Sequence, residues 1–288
     1  MGFWEKVMRL DRRWVFFLIA LAVLIPFLKP LRLPISVTKP VKDIFDEVEK
    51  VPPEGPPLLI GTDYAPSTAP ELDPMLYALL RHCFATKRRV MLVALYPQGA
   101  GMAQAGLDNV LPEFPEVKSG MDYVFLGYQP GIGSVILQMG EEIRRVFPTD
   151  AYGVSLDSLP MMEYIHNYDD IAFMMDLSGS SVPMLWVMYA GARYEQRIGV
   201  GTTAVSAAQY YPFLNTGQFK GMLGGLKGAA EYEKLIKKKG YTEARKVATI
   251  GMDAQSIAHL VILFLIIIGN IAFFASKSHR KKTKLTSG

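Results

Sequence analysis

Five short apolar runs alternate with helical patterns through the middle of the chain. The apolar runs are 57–63, 89–97, 122–128, 170–176 and 197–205. Their continuity is typical of strands that are buried on both faces. Between them, apolar residues recur at helical spacing over 71–86, 132–147 and 183–194. The alternation predicts a Rossmann-like α/β domain, with a largely parallel sheet of about five strands and helices on both faces.

Two further apolar runs flank this domain, and they predict two transmembrane helices at 14–29 and 256–276. We expect the first to be an uncleaved signal anchor, because no small-x-small cleavage pattern follows it; a cleaved signal sequence is the alternative. Lys and Arg residues precede the first run and follow the second. The positive-inside rule therefore predicts a cell (inner) membrane protein with both termini in the cytoplasm and an extracytoplasmic central domain.

These patterns divide the chain into seven segments. Val41, Ile44 and Val48 lie at helical spacing and predict an amphipathic helix between the first span and the domain. The segments are a cytoplasmic N-terminus (1–13), a transmembrane signal anchor (14–29), an amphipathic linker helix (30–56), the extracytoplasmic α/β domain (57–240), a juxtamembrane helix (241–255), a transmembrane helix (256–276) and a basic cytoplasmic tail (277–288).

Charge is concentrated at the ends of the chain. The whole protein of 288 residues has a net charge of +4, but residues 1–29 carry +3 and residues 277–288 carry +5, which leaves −4 between them. An acidic central domain has no electrostatic reason to bind nucleic acid. The basic tail suits anionic lipid headgroups, so the expected partner is the lipid bilayer.

Polar and aromatic residues follow the predicted strands. In open α/β sheets, ligands bind outside the carboxyl ends of the strands. We therefore expect these residues to share one edge and to form a small-ligand site, although polar strand-to-helix turns are the alternative explanation. The candidate ligand-binding residues are Asp63, Ser67, Tyr96, Gln98, Tyr128, Gln129, Asp176, Ser178 and Thr202.

Asp176, Ser178 and Ser180 form an Asp-x-Ser-x-Ser run after the fourth predicted strand. The run resembles the metal-adhesion motif of von Willebrand factor A domains, which carry it after the first strand and use it to hold magnesium. The resemblance covers five residues and implies a divalent cation bound by these three side chains, whose oxygen ligands suit it. The alternative is a polar turn that caps a helix, and no cofactor is predicted beyond this cation.

A glycine-rich stretch near the end of the domain contains two pairs of glycines at four-residue spacing: Gly221 with Gly225, and Gly224 with Gly228. The spacing predicts a helix that packs closely against a neighbour. That neighbour is either the sheet of the same domain or a second subunit. These glycines are the predicted interaction face.

The sequence contains few residues in arrangements that are typical of catalytic sites. Neither a phosphate-binding G-x-x-x-x-G-K-[ST] loop nor a G-x-S-x-G nucleophile motif occurs, and the lone cysteine, Cys83, makes no internal disulfide. We expect a non-enzymatic scaffold or interaction component of a membrane assembly, self-associating or bound to a membrane-protein partner. The alternatives are an exported metal-assisted hydrolase that uses Asp63 or Asp176, and a ligand sensor that signals through partner helices.

Overall fold

The computed structural model describes residues 7, 10–31, 33–243 and 247–286, with side chains described as far as Lys277. The chain divides into two compact units. The larger unit, residues 35–249, is the α/β domain. The smaller unit contains residues up to Pro34 and from Ile250 onwards.

The described part of the domain contains one sheet of six strands, all parallel. The order across the sheet is β3-β2-β1-β4-β5-β6, so the chain builds outward from β1 in one direction and then from β4 in the other. The predicted α/β class with a parallel sheet is confirmed. The strands are β1 (Leu58–Asp63), β2 (Val90–Ala94), β3 (Tyr123–Tyr128), β4 (Phe173–Ser178), β5 (Ile198–Thr202) and β6 (Phe219–Gly224).

Helices cover both faces of the sheet. One face carries α2, α3, α4 and α10, and the other carries α5, α7 and α9. The continuous apolar strands fit this arrangement, because each is fully buried between two helical layers. The helices of the domain are α2 (Lys39–Lys50), α3 (Ala69–Ala85), α4 (Gly99–Val110), α5 (Ile132–Met139), α6 (Ile143–Val146), α7 (Val182–Trp186), α8 (Ala192–Tyr194), α9 (Ala207–Asn215) and α10 (Gly225–Lys238), and a π-helical turn, Val187–Gly191, joins α7 to α8.

Three expectations about local structure were wrong. The pattern over 132–147 is two helices, because the chain turns at Gly140, where a Cβ would lie 2.3 Å from the Tyr194 ring. Strand β4 extends to Ser178, so Asp176 lies inside the strand rather than at its end. The glycine-rich stretch is not one helix, because Gly221 and Gly224 belong to the edge strand β6 and the helix begins only at Gly225.

The smaller unit contains α1 (Arg12–Leu28) and α11 (Val247–Thr286), whose first three residues belong to the domain. Among the described residues one helix, over Val247–Lys277, is long and apolar enough to cross a membrane. The expected second spanning helix is not confirmed: α1 has 17 residues, which gives about 26 Å against a hydrocarbon core of about 30 Å. The predicted juxtamembrane helix over 241–255 is a helix only from Val247, and residues 244–246 lie outside the described residues.

Candidate functional site

The sheet changes its direction of growth between β1 and β4, and this is where α/β domains of this kind form a crevice for ligands. Asp63 ends β1, and it lies in register with Ser178 on β4, which in turn lies in register with Thr202 on β5. Side chains in register on parallel neighbours point to the same face of the sheet. The structure therefore brings three of the predicted site residues into one row.

Asp176 joins this row from one step deeper in the sheet. It lies opposite Gly61 on β1, and a Cβ on Gly61 would come within 2.6 Å of Asp176 Oδ1. The absence of a side chain at Gly61 therefore gives the carboxyl group space to lie over β1. Asp63 is 1% exposed and Asp176 is 0% exposed, so both carboxyl groups are enclosed by the domain.

Most polar atoms of this row have no hydrogen-bond partner. Asp63 Oδ1 accepts hydrogen bonds from the backbone N–H groups of Leu95, at 2.5 Å, and Tyr96, at 3.0 Å. Each unpaired buried polar group costs about 1–3 kcal/mol of stability, so their concentration at one place calls for an explanation. Among the described residues, the buried atoms here without a partner of good geometry are Asp63 Oδ2, both carboxyl oxygens of Asp176, Trp186 Nε1 and Thr202 Oγ1.

The two carboxyl groups differ in their affinity for a proton. Burial raises the pKa of Asp63 to about 6, against the opposing effects of the Leu95 N–H, Asp176 and the Trp186 indole. Burial raises the pKa of Asp176 well above its usual value, and the negative charge of Asp63 raises it further. Two close carboxyl groups in a dry site cannot both ionise readily. The raised pKa values therefore favour the retention of one proton by the pair, with Asp176 the member whose pKa is raised further.

The serines of the Asp-x-Ser-x-Ser run organise the turn above this pair. Ser178 Oγ donates to the backbone oxygen of Asp63 at 3.1 Å and accepts from the N–H of Ser180 at 3.1 Å. Tyr210 closes the turn by donating its hydroxyl to the Ser180 backbone oxygen. These contacts are those of a polar turn. In the described part of the chain no group of three or more His, Cys, Asp or Glu side chains could hold a metal, and the predicted cation on Asp176, Ser178 and Ser180 stays a prediction.

The remaining candidates lie apart from the buried row. Ser67 and Gln98 are exposed in the loops after β1 and β2. Tyr96 contributes its backbone N–H and is itself 36% exposed. Tyr128 and Gln129 lie at the end of β3, two strands away from β1. They line a separate, open cleft of about 680 Å³. The predicted edge therefore contains a buried carboxyl row and a distinct cleft.

Sequence reasoning did not identify the residues that enclose the pair. Trp186 lies in an apolar helical pattern and reads as an ordinary core residue, yet its indole lowers the pKa of Asp63. Tyr210 contacts the turn at Ser180, and the charge of Asp176 contributes to the raised pKa of the Tyr210 hydroxyl. No spacing in the sequence links either residue to the strand ends. Only the packing of α7 and α9 against the sheet places them there.

Three of the four predicted interface glycines, all except Gly224, are explained by contacts or backbone geometry inside the domain. A Cβ on Gly221 would lie 2.6 Å from the backbone oxygen of Pro40, because α2 crosses β6 at this point. A Cβ on Gly228 would lie 2.8 Å from the Leu223 backbone, and Gly225 adopts a φ of +61°. Close packing within the domain accounts for these residues, and a role in subunit contact stays a prediction.

Comparison with known proteins gave no relative. No protein-family model matches the chain, and neither the curated proteins nor the solved structures contain a match. The functional argument therefore depends on the fold and on the geometry of the site.

Proposed function

We propose that this chain is a membrane-anchored binding protein, which holds a small ligand at the carboxyl ends of β1 and β4 and serves as an interaction component of a membrane assembly. The observation that carries the proposal is the buried pair Asp63 and Asp176, with its unpartnered oxygens at the switch point of the sheet. Polar groups in a domain core are almost always paired. Unpaired polar groups lower the stability of the domain, and this cost has a function where the groups bind a ligand.

The chemistry of the pair favours a ligand that presents a positive charge, either a divalent cation or a small amine. Carboxyl and hydroxyl oxygens predominate among the unpartnered atoms, and they accept hydrogen bonds and coordinate hard cations. The ligand must displace the proton of Asp176 to use both carboxylates. Its affinity should therefore increase with pH, by up to about tenfold per unit for each proton released.

The membrane placement rests on the smaller unit. Apolar side chains along α11 are largely exposed, including Leu260, Leu263 and Phe264 at 64%, 55% and 62%, as expected of a helix that faces lipid. The backbone N–H groups of Leu31 and Leu33 donate to the carboxylate of Asp253, at 3.0 and 3.1 Å. The end of α1 thus lies beside the start of the apolar part of α11. This favours an antiparallel pair that spans the membrane twice, with both termini cytoplasmic.

Native mass spectrometry of the full-length protein, released gently from detergent, tests the ligand site. We expect the wild-type protein to retain a small added mass, and Asp176→Asn and Asp63→Asn to lose it. Asp150→Asn is the matched control, because Asp150 is also buried but binds the backbone of its own loop near β3. A discrete oligomer without added mass would refute the ligand site and leave the assembly role.

Topology is tested separately with single cysteines. Cys83 is buried and supplies no reactive background. In intact cells, a membrane-impermeant maleimide should label Lys238→Cys in the domain but not Thr283→Cys in the tail. Labelling of both, or the reverse pattern, would contradict the proposed orientation.

A second candidate is the exported hydrolase. It requires Asp63 and Asp176 to face each other with a raised pKa, and their shared face and raised pKa values favour it. Its weakness is access, since neither carboxyl group is exposed and an ester substrate is larger than the cation or small amine proposed above. Hydrolysis of a chromogenic phosphoester or ester that needs a divalent ion, and that Asp63→Asn abolishes, would favour the enzyme over the binding protein.

A further inference from the structure

The apolar part of α11 carries one amide in an unusual position. Asn270 lies between Ile268 and Phe273, seven residues before Lys277, which is about 10 Å along a helix. If α11 spans the membrane, as proposed above, this places the amide inside a hydrocarbon core about 30 Å thick. Asn270 is exposed, and its side chain makes no hydrogen bond to any of the described residues.

An amide that faces lipid is costly, because hydrocarbon offers no hydrogen-bond partner. The described side chains of the same unit do not supply one. Ala254 and Ala272 are buried, and at about 100° per residue they lie about 160° around the helix from Asn270. The amide therefore points away from the packed side of α11 and toward whatever lies beside it in the membrane.

The face next to Asn270 is exposed along its length. Its residues follow each other at intervals of four and three, so they lie on one side of the helix, as the contact positions of a left-handed helix pair do. A Cβ on Gly269 would meet no atom within 4 Å, so a second backbone can approach closely at the level of the amide. The seam consists of Gln255, His259, Ile262, Ile266, Gly269 and Phe273, with Asn270 at its edge.

We propose that this face binds a second copy of the same chain, through parallel α11 helices that pair Asn270 with Asn270. A side-chain amide carries both donors and an acceptor, so an identical amide across a two-fold axis satisfies it. Polar side chains such as asparagine act in this way between transmembrane helices. The inference rests on the proposed membrane span. It places the self-association surface on the membrane helix and not on the glycines of the domain.

Disulfide cross-linking of the full-length protein in membranes tests this seam. Ile266→Cys lies on the seam, about 40° from Asn270, whereas Phe264→Cys lies at nearly the same depth about 120° away. Phe264 is 62% exposed, so the control site is equally open, and Cys83 is buried. Mild oxidation should give a cross-linked dimer with Ile266→Cys and little or none with Phe264→Cys.

Substitution of the amide then tests its role. Asn270→Leu in the Ile266→Cys background should reduce the association constant about 3- to 30-fold, as the loss of one interhelical hydrogen bond does in membranes, and Asn270→Gln should retain dimerisation. Equal cross-linking at both cysteines, no dimer at either, or an adduct whose mass is not twice that of the chain would overturn the pairing with a second copy. Labelling of Ile266→Cys by a water-soluble maleimide would instead overturn the membrane span on which the inference rests.

Discussion

Two buried polar clusters occupy opposite ends of the sheet, and they differ in how their hydrogen bonds are satisfied. At the amino end, the imidazole of His82 bonds to the Tyr232 hydroxyl at 2.7 Å and to a Glu49 oxygen at 3.3 Å. Arg88 and the Tyr241 hydroxyl bond to the same Glu49 carboxylate, at 3.0 and 2.8 Å. At the carboxyl end, Asp63 and Asp176 leave three carboxyl oxygens without a partner.

The difference separates a structural cluster from a candidate site. The cluster around His82 joins α2, α3, α10 and the segment at Tyr241, and its aromatic stacking against Phe45, at 4.8 Å between ring centroids, adds contact area. A fully paired network of this kind rigidifies a core. The carboxyl pair joins neighbouring strands that the sheet already holds together, so its incomplete pairing has no structural benefit that we can identify.

Removal of one partner should have its largest effect in the paired cluster. Arg88→Ala removes the cationic partner of Glu49 and the donor to the Val51 backbone oxygen, and we expect a loss of about 3–5 kcal/mol in the free energy of unfolding. Urea denaturation of the full-length protein in detergent measures it. Arg145→Ala is the control, because its ion pair with Glu141 is exposed, and it should change stability by less than about 0.5 kcal/mol. Equal losses of stability in Arg88→Ala and Arg145→Ala would contradict the proposed structural role of the cluster around His82.

The two clusters should also give opposite pH dependence. Burial lowers the pKa of His82 from 6.5 to about 4, so the native state resists protonation of the imidazole. The contribution of neutral His82 to stability is therefore lost as the pH falls from about 6.5 to 4. The pKa of Asp63 is raised from 3.8 to about 6, so its contribution is lost as the pH rises through that window. Each shift of two or more units corresponds to about 3 kcal/mol.

Variants separate these opposing profiles in urea denaturation between pH 4 and pH 7. The double variant Asp63→Asn/Asp176→Asn removes both carboxyl groups of raised pKa and should leave a stability that increases with pH, whereas His82→Gln should leave one that decreases with pH. A wild-type profile that both variants leave unchanged would show that neither group is perturbed by burial.

Replacement of an unpartnered carboxyl should be tolerated. Asp176→Asn removes a carboxyl group that keeps its proton at a cost in stability above neutral pH, and the amide has nearly the same shape. We expect a gain in stability at pH 8 and almost none at pH 4, because the cost of keeping the proton grows as the pH rises above the ordinary pKa of an aspartate. A loss of more than about 2 kcal/mol at both pH values, measured by urea denaturation, would mean that Asp176 is a structural residue.

The smallest expected effects come from two hydroxyl groups. Thr202→Val has nearly the same shape and removes an unpartnered buried oxygen, so we expect a gain of about 1 kcal/mol. Tyr232→Phe removes the partner of His82 and should cost about 1–2 kcal/mol. Thermal unfolding of the two variants gives the sign of each change. Effects of the same sign would contradict the distinction between the clusters.

The sequence predicted the larger features better than the site. Buried parallel strands have long apolar runs, so five strands and their helices could be recognised, whereas β6 was missed because Lys220 and its glycines resemble neither an alternating nor an apolar strand. Asp63 and Asp176 were both recognised as candidate site residues, although Asp176 lies inside β4 and not at its end. Their enclosure by Trp186 could not be predicted, because it depends on the strand order and on where α7 packs.

Prediction from the sequence was also limited for the two apolar helices of the smaller unit. The run in α11 is long enough to be recognised from hydropathy alone. For α1 the same pattern yields 17 residues, ending at Leu28. Whether such a helix spans a bilayer depends on tilt and on its neighbours.

Infrared spectroscopy of the carboxyl C=O stretch tests the central claim most directly, because it reports whether a buried carboxyl group keeps its proton. At pH 7 the wild-type protein should show a protonated-carboxyl band that Asp176→Asn removes and Asp150→Asn leaves in place, and a second protonated carboxyl should appear as the pH falls below about 6. No protonated band at pH 7, with both aspartates titrating near 4, would contradict the account.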